Sequence, residues 1–171
     1  GLLLLPFGAM TLAATAWWAQ SPAWRALATR VPSPGRLGRS LIAVLTGLLW
    51  VCVAVAGAAL AARGLPAGRL AAVTAVALTT SFALVALHVL VAVRFGTGVT
   101  MLVGFLGTVA GLVMSSGGGA VAWPVNPWVW IAVALEGISP VGMLAGGLVL
   151  GAVCTWATGP AARRAAALGG D

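Results

Sequence analysis

Residues 41–62, LIAVLTGLLWVCVAVAGAALAA, and residues 70–93, LAAVTAVALTTSFALVALHVLVAV, are two uncharged apolar runs separated by RGLPAGR at 63–69. A bilayer core about 30 Å thick takes about 20 helical residues at about 1.5 Å each, so each run fits one crossing. Outward from this pair the uncharged runs continue, at 1–24, 95–135 and 137–162. Charged side chains make up 6% of the 171 residues, against roughly 25% in an ordinary soluble domain. A chain that is 61% hydrophobic has too little charge to cover a water-facing surface, and most of it must be solvated by lipid.

The same composition excludes several chemistries. All nine basic residues are arginines, and without lysine there is neither a Walker-A phosphate loop nor a lysine Schiff base. Cys52 and Cys154 stand about a hundred residues apart inside apolar runs, which suits small buried hydrophobes and offers no zinc spacing or disulfide framework. The net charge of +7 is scattered between apolar runs rather than gathered on one face, which argues against nucleic acid and for membrane topology.

Punctuation divides the long run at 95–135. Gly96 and Gly98 open it, Gly117, Gly118 and Gly119 interrupt it, and Pro124 and Pro127 follow. The spacing predicts a span at 99–115 and a separate connection after it. Within that connection Asn126 and Pro127 form a helix start and Gly137 a stop, giving a helix over 127–136 that is too short to cross. It is expected to be re-entrant or interfacial on the outer side, with Trp123, Trp128 and Trp130 at headgroup level. Ser139 and Pro140 open the last span, which is expected to run over 140–158 and stop at Gly159 and Pro160.

The predicted fold is therefore an all-α, polytopic helical membrane protein, a single transmembrane domain over 1–171. Five transmembrane helices are expected, at about 1–20, 41–62, 70–93, 99–115 and 140–158. Alternate connections are unequal in charge: Arg25, Arg30, Arg36, Arg39, Arg94, Arg163 and Arg164 fall on one side, and only Arg63 and Arg69 on the other. Cytoplasmic loops carry the excess of positive charge, so loop 21–40 and the tail 160–171 are expected in the cytoplasm and Glu136 outside. That orientation puts Gly1 outside, and one further helix upstream is expected, making six.

Loop 21–40 carries its own helix pattern. Ser21 and Pro22 start it, and Trp24, Leu27, Ala28 and Val31 fall on one stripe, with Arg25, Thr29 and Arg30 off it. This amphipathic cytoplasmic helix is either an anchor on anionic lipid or a docking element for a partner. His88, the single histidine, lies within a span and has no acidic partner in any span; a neutral imidazole there can bond a backbone carbonyl or water. Glu136 reads as a solvated polar residue near the interface. Ser115 and Ser116 lack the nucleophile-elbow spacing and an acid to orient His88, so they are ordinary helix-end residues. Gly107 with Gly111, Gly142 with Gly146, and Gly147 with Gly151 recur at four-residue spacing, which lets helices approach closely.

The segments SPAWRALATRVPSPGRLGRSLIAVLTG at 21–47 and LHVLVAVRFGTGVTMLVGFLGTVAGLV at 87–113, together with Pro127-Trp128 ahead of the last helix, resemble the membrane subunit of type-2 ABC transporters. The chain is most similar to bacterial permeases of the lantibiotic-immunity and antibiotic-export group. The resemblance implies six helices with both ends cytoplasmic, in the plasma membrane. It implies a non-catalytic permease subunit without cofactor or metal, paired with a second permease subunit as a homo- or heterodimer and with a separate ABC ATPase that hydrolyses ATP. Loop 21–40 would then be the coupling element, with Trp24 and Leu27 as apolar contacts to the ATPase and Arg25 and Arg30 as polar ones. The short outer helix would cap a path for a hydrophobic or amphipathic substrate such as an antimicrobial peptide, an antibiotic or a lipid. The alternatives are an accessory scaffold with no transport activity of its own, and a membrane enzyme or ion-coupled carrier, which would require His88 for activity.

Overall fold

The structure, a computed structural model, describes residues 33–116 and 126–168 together with positions 8, 11 and 13. The described residues form four helices: α1 (Pro34–Ala62), α2 (Ala67–Ser116), α3 (Trp130–Leu135) and α4 (Val141–Leu168). Three of them, α1, α2 and α4, are long and apolar enough to cross a membrane. The chain is thus an all-helical protein with three candidate membrane-spanning helices among the described residues, where five were expected. The expected span at 1–20 and the amphipathic helix after it fall outside the described residues, apart from those three positions.

The expected spans at 70–93 and 99–115 belong to one helical element. At Gly96 the backbone leaves the helix, with φ 84° and ψ 179°, a region open almost only to glycine, and the helix resumes at once. Gly96 and Gly98 therefore do not make a loop; one residue makes the whole change of direction. Its size follows from Trp128, which packs against Gly107 and Gly111 after the break and sets its ring 6.0 Å from that of His88 before it. In a straight helix His88 and Gly107 would stand about 28 Å apart, beyond the reach of one indole. The two arms, 67–95 and 97–116, therefore lie side by side.

The helix ends have local causes. Ser33 is extended and Pro34 sits in the first turn, where its fixed φ suits a helix and its missing N–H costs nothing. For this reason α1 begins seven residues before the charge-bounded run at 41. Its last turn closes with Gly64 N–H to the Ala61 carbonyl at 2.9 Å and Leu65 N–H to the Leu60 carbonyl at 3.2 Å, Gly64 having φ 80°. This is a Schellman closure, and α3 ends in the same way through Gly137 and Ile138. The expected stop of the last span at Gly159 and Pro160 is corrected: α4 runs through Pro160 to Leu168. Ala161, Ala162 and Ala165 continue the helix with the best helix-forming residue and pack into the core, which offsets the hydrogen bond that the proline removes.

Packing fixes the order. Leu41, Ile42, Leu45 and Leu49 of α1 meet Leu84, Val85, Val89 and Val93 of the first arm of α2, with Cys154 and Ala162 of α4 closing the cluster. Nearer the α1–α2 turn, Val53, Val73, Val76 and Ala77 meet Val129, Ile131 and Val133 of the α3 segment and Met143 of α4. Gly57 faces Thr74, and Gly35 faces Gly159. Thus α1 is antiparallel to the first arm of α2 and to α4. The outward faces stay apolar, as lipid requires: Val44, Leu48, Val51 and Val55 on α1, and Val149, Val153 and Trp156 on α4 are exposed.

Gly96 and Gly98 test the break. Nothing lies within 4 Å of a Cβ at either position, so the difference between them is conformational. Gly96→Ala is expected to lower stability by about 1–3 kcal/mol, the cost of that backbone region for an L-residue. Gly98→Ala, in regular helix, is expected to be neutral or to raise it by up to about 1 kcal/mol. Thermal unfolding in detergent measures both, and equal effects would contradict the assigned break.

Candidate functional site

Several polar groups are buried inside the bundle. His88 is fully buried, and its Nδ1 stands 2.6 Å from the Leu84 carbonyl one turn earlier. A carbonyl only accepts, so Nδ1 carries the proton and Nε2 presents a lone pair. Nε2 has no hydrogen-bond partner among the described residues, and neither has the indole Nε1–H of Trp128, whose ring meets the imidazole edge-on at 84°. The Thr46 and Thr80 hydroxyls are likewise buried without a partner among the described residues. Other hydroxyls turn back onto their own helices: Thr79, Ser81, Thr100, Thr108, Thr155 and Thr158 each donate to a carbonyl three or four residues earlier. That pattern satisfies a hydroxyl without calling on a neighbouring helix.

Trp128 reaches this position through the turn before α3. The Asn126 Oδ1 accepts the Trp128 N–H at 3.0 Å, the Asn126 carbonyl accepts the Val129 N–H at 3.2 Å, and the Asn126 Nδ2 lies 3.2 Å from the Met114 sulfur. Asn126 thus makes a turn ahead of α3, and the expected helix over 127–136 is corrected: it begins only at Trp130, with Val129 as its N-cap and no side-chain cap, while Asn126 ties the α3 segment to the end of α2. The far end of α3 is tied as well, since the Arg69 guanidinium donates to the Leu135 carbonyl. Of the tryptophans expected at headgroup level, Trp123 lies outside the described residues, and Trp128 and Trp130 face into the bundle rather than out from it. Trp128 fills the groove over Gly107 and Gly111, and Trp130, 4% exposed, lies against Gly146. An aromatic residue entering a bare-backbone groove gains more contact than it would at the interface. The glycine spacing in the sequence marked the groove but not its occupant.

The candidate packing glycines divide by what they meet. Gly107 and Gly111 receive Trp128, Gly147 receives the Thr79 backbone, with a Cβ there only 3.1 Å from its carbonyl carbon, and Gly151 receives the Phe82 ring. The second pair therefore joins α4 to the first arm of α2. Trp24, Arg25, Leu27 and Arg30 lie outside the described residues. Ser116 closes the second arm of α2, and Glu136 is exposed at the end of α3. Cys52 is exposed and Cys154 buried, and no group of three metal-ligating side chains occurs among the described residues.

Charge is segregated along the bundle. Arg36 and Arg39 at the start of α1, Arg94 at the break in α2, and Arg163 and Arg164 late in α4 share one end, because these helix ends pack together. The opposite end holds Arg63, Arg69 and Glu136. The charge inequality of alternate connections is thus an inequality between the two ends of one bundle.

The Trp128 groove makes a paired prediction. Trp128→Ala is expected to destabilise by about 3–5 kcal/mol, and Gly107→Val by about 1–3 kcal/mol through collision with the indole. In the Trp128→Ala background the valine has room, so the double variant is expected to be more stable than the sum of the two losses. A double-mutant cycle by thermal unfolding in detergent measures this, and strict additivity would contradict the contact.

Comparison with protein-family models, with curated proteins and with solved structures finds no match to this chain.

Proposed function

We propose that the chain is the permease subunit of an ATP-driven ABC exporter, moving a hydrophobic or amphipathic substrate such as an antimicrobial peptide, an antibiotic or a lipid. The observation that carries this reading is the segment 126–136. It is a turn and a short helix held inside the bundle, tied to both arms of α2 and followed by the last long helix. That is where the resemblance puts the element that caps a translocation path. Counted as separate crossings, the two arms of α2 with α1, α4 and a span at 1–20 would make the five crossings of this reading.

The five arginines at one end against two at the other support a plasma-membrane orientation with loop 21–40 and the C-terminus in the cytoplasm. ATP hydrolysis then belongs to a separate ATPase subunit, contacted through Trp24, Leu27, Arg25 and Arg30. A second permease subunit completes the pathway.

Affinity purification of the chain from native membranes in mild detergent tests the class. The expected result is an ABC ATPase in stoichiometric amount. Replacing Trp24 and Leu27 with serine is expected to abolish substrate-stimulated ATP hydrolysis while leaving membrane insertion intact. Absence of an ATPase, under conditions where a known exporter retains its own, would favour the accessory-scaffold reading.

A further inference from the structure

Where α1 begins, it crosses α4 with two bare backbones in contact: a Cβ on Gly35 would stand 3.1 Å from the Gly159 Cα, and one on Gly38 would stand 2.9 Å from the Thr158 Cγ2. Arg39 lies one turn beyond Gly35, and Arg163 one turn beyond Gly159, so both arise on the faces that meet at this crossing. The Arg39 Nε donates to the Gly35 carbonyl at 3.2 Å, which draws that side chain back toward the crossing. Arg36 sits beside Gly35 itself. Arg36, Arg39 and Arg163 are all exposed, and no acidic side chain stands among the described residues at this end.

The surfaces leading from the crossing are apolar. On α4 the exposed Val149, Val153 and Trp156 lie at intervals of three and four residues, and Arg163 continues that stripe two turns after Trp156. On α1 the exposed Val44, Leu48, Val51 and Val55 run on from Ser40 and Arg36 at the same spacing. Each helix therefore offers a lipid-facing apolar stripe that leads to arginine at the same end of the bundle. Acyl chains along the stripes bring a phosphodiester to the level of the guanidinium groups, which bind phosphate oxygens in a planar fork.

We infer that the crossing of α1 and α4 is a binding site for the headgroup of an anionic phospholipid, held by Arg36, Arg39 and Arg163. The site depends on the placement of described helices and not on the transport reading, so either stands if the other fails.

Native mass spectrometry of the full chain, titrated in detergent with phosphatidylglycerol or with phosphatidylcholine of the same acyl chains, tests it. Phosphatidylglycerol is expected to bind about tenfold more tightly, since each basic residue near a membrane surface adds attraction to anionic lipid. The variant Arg36→Gln/Arg39→Gln/Arg163→Gln is expected to hold both lipids equally, and Arg63→Gln, at the opposite end, to keep the preference. Equal binding of the two lipids by the unaltered chain would overturn the assignment, with no appeal to a variant. Survival of the preference in the triple variant would also overturn it. Displacement of the lipid by inorganic phosphate would assign the site to a soluble anion instead.

Discussion

The bundle depends on the reversal of α2 at Gly96 and on Trp128, a side chain that both arms share. A helix of 50 residues measures about 75 Å if straight, more than twice the hydrocarbon thickness of a bilayer. An apolar helix of that length must fold back or leave the membrane. At Gly96 it folds back within one residue, so that His88, Gly107 and Gly111 all reach Trp128. Lipid tails are as apolar as the helix surfaces, so no hydrophobic force presses the arms together, and close contact must do it. The glycines let the indole lie directly on the backbone, where dispersion contacts are densest.

The second constraint is that lipid satisfies no hydrogen bond. The chain meets it mostly within single helices: hydroxyls turn back on their own carbonyls, and glycine closes the C-terminal turns of α1 and α3. Arg69 extends the same principle between elements by donating to a carbonyl at the end of α3. A six-residue helix could not hold its place alone, because nucleation costs more than so few bonds return. Ties at Asn126 and Arg69, and burial of Trp130, Ile131, Val133 and Ala134 against α2 and α4, hold it instead.

How much of this is visible in the sequence depends on the range over which each signal acts. Charge spacing located the apolar segments and Gly137 marked the end of the short helix, because those signals act over a few residues, whereas Asn126-Pro127 marked a turn and the helix starts only at Trp130. Charge spacing failed at the ends of the outer helices. It began α1 at Leu41, although Arg36 and Arg39 lie within the helix, both exposed, and it stopped α4 before Pro160. The burial of Trp128 was hidden for another reason. Its partners lie 17 to 40 residues away in sequence, and they come together only through the reversal, so no local pattern separates a tryptophan in a groove from one at a headgroup.

The functional candidates divide along the same line. The coupling residues Trp24, Leu27, Arg25 and Arg30 come from a linear motif and its resemblance, whereas the His88–Trp128 junction is purely a product of folding. His88 and Trp128 present an acceptor and a donor that find no partner among the described residues, next to the groove that holds the α3 segment in place. Burying two such groups is costly, and a sequence selected only for tight packing would place apolar rings there. Trp128 precedes the short helix and touches both arms of α2, so with the ties at Asn126 and Arg69 it seats the segment ahead of the last helix. These two groups are the part of that seating that tight packing alone does not explain.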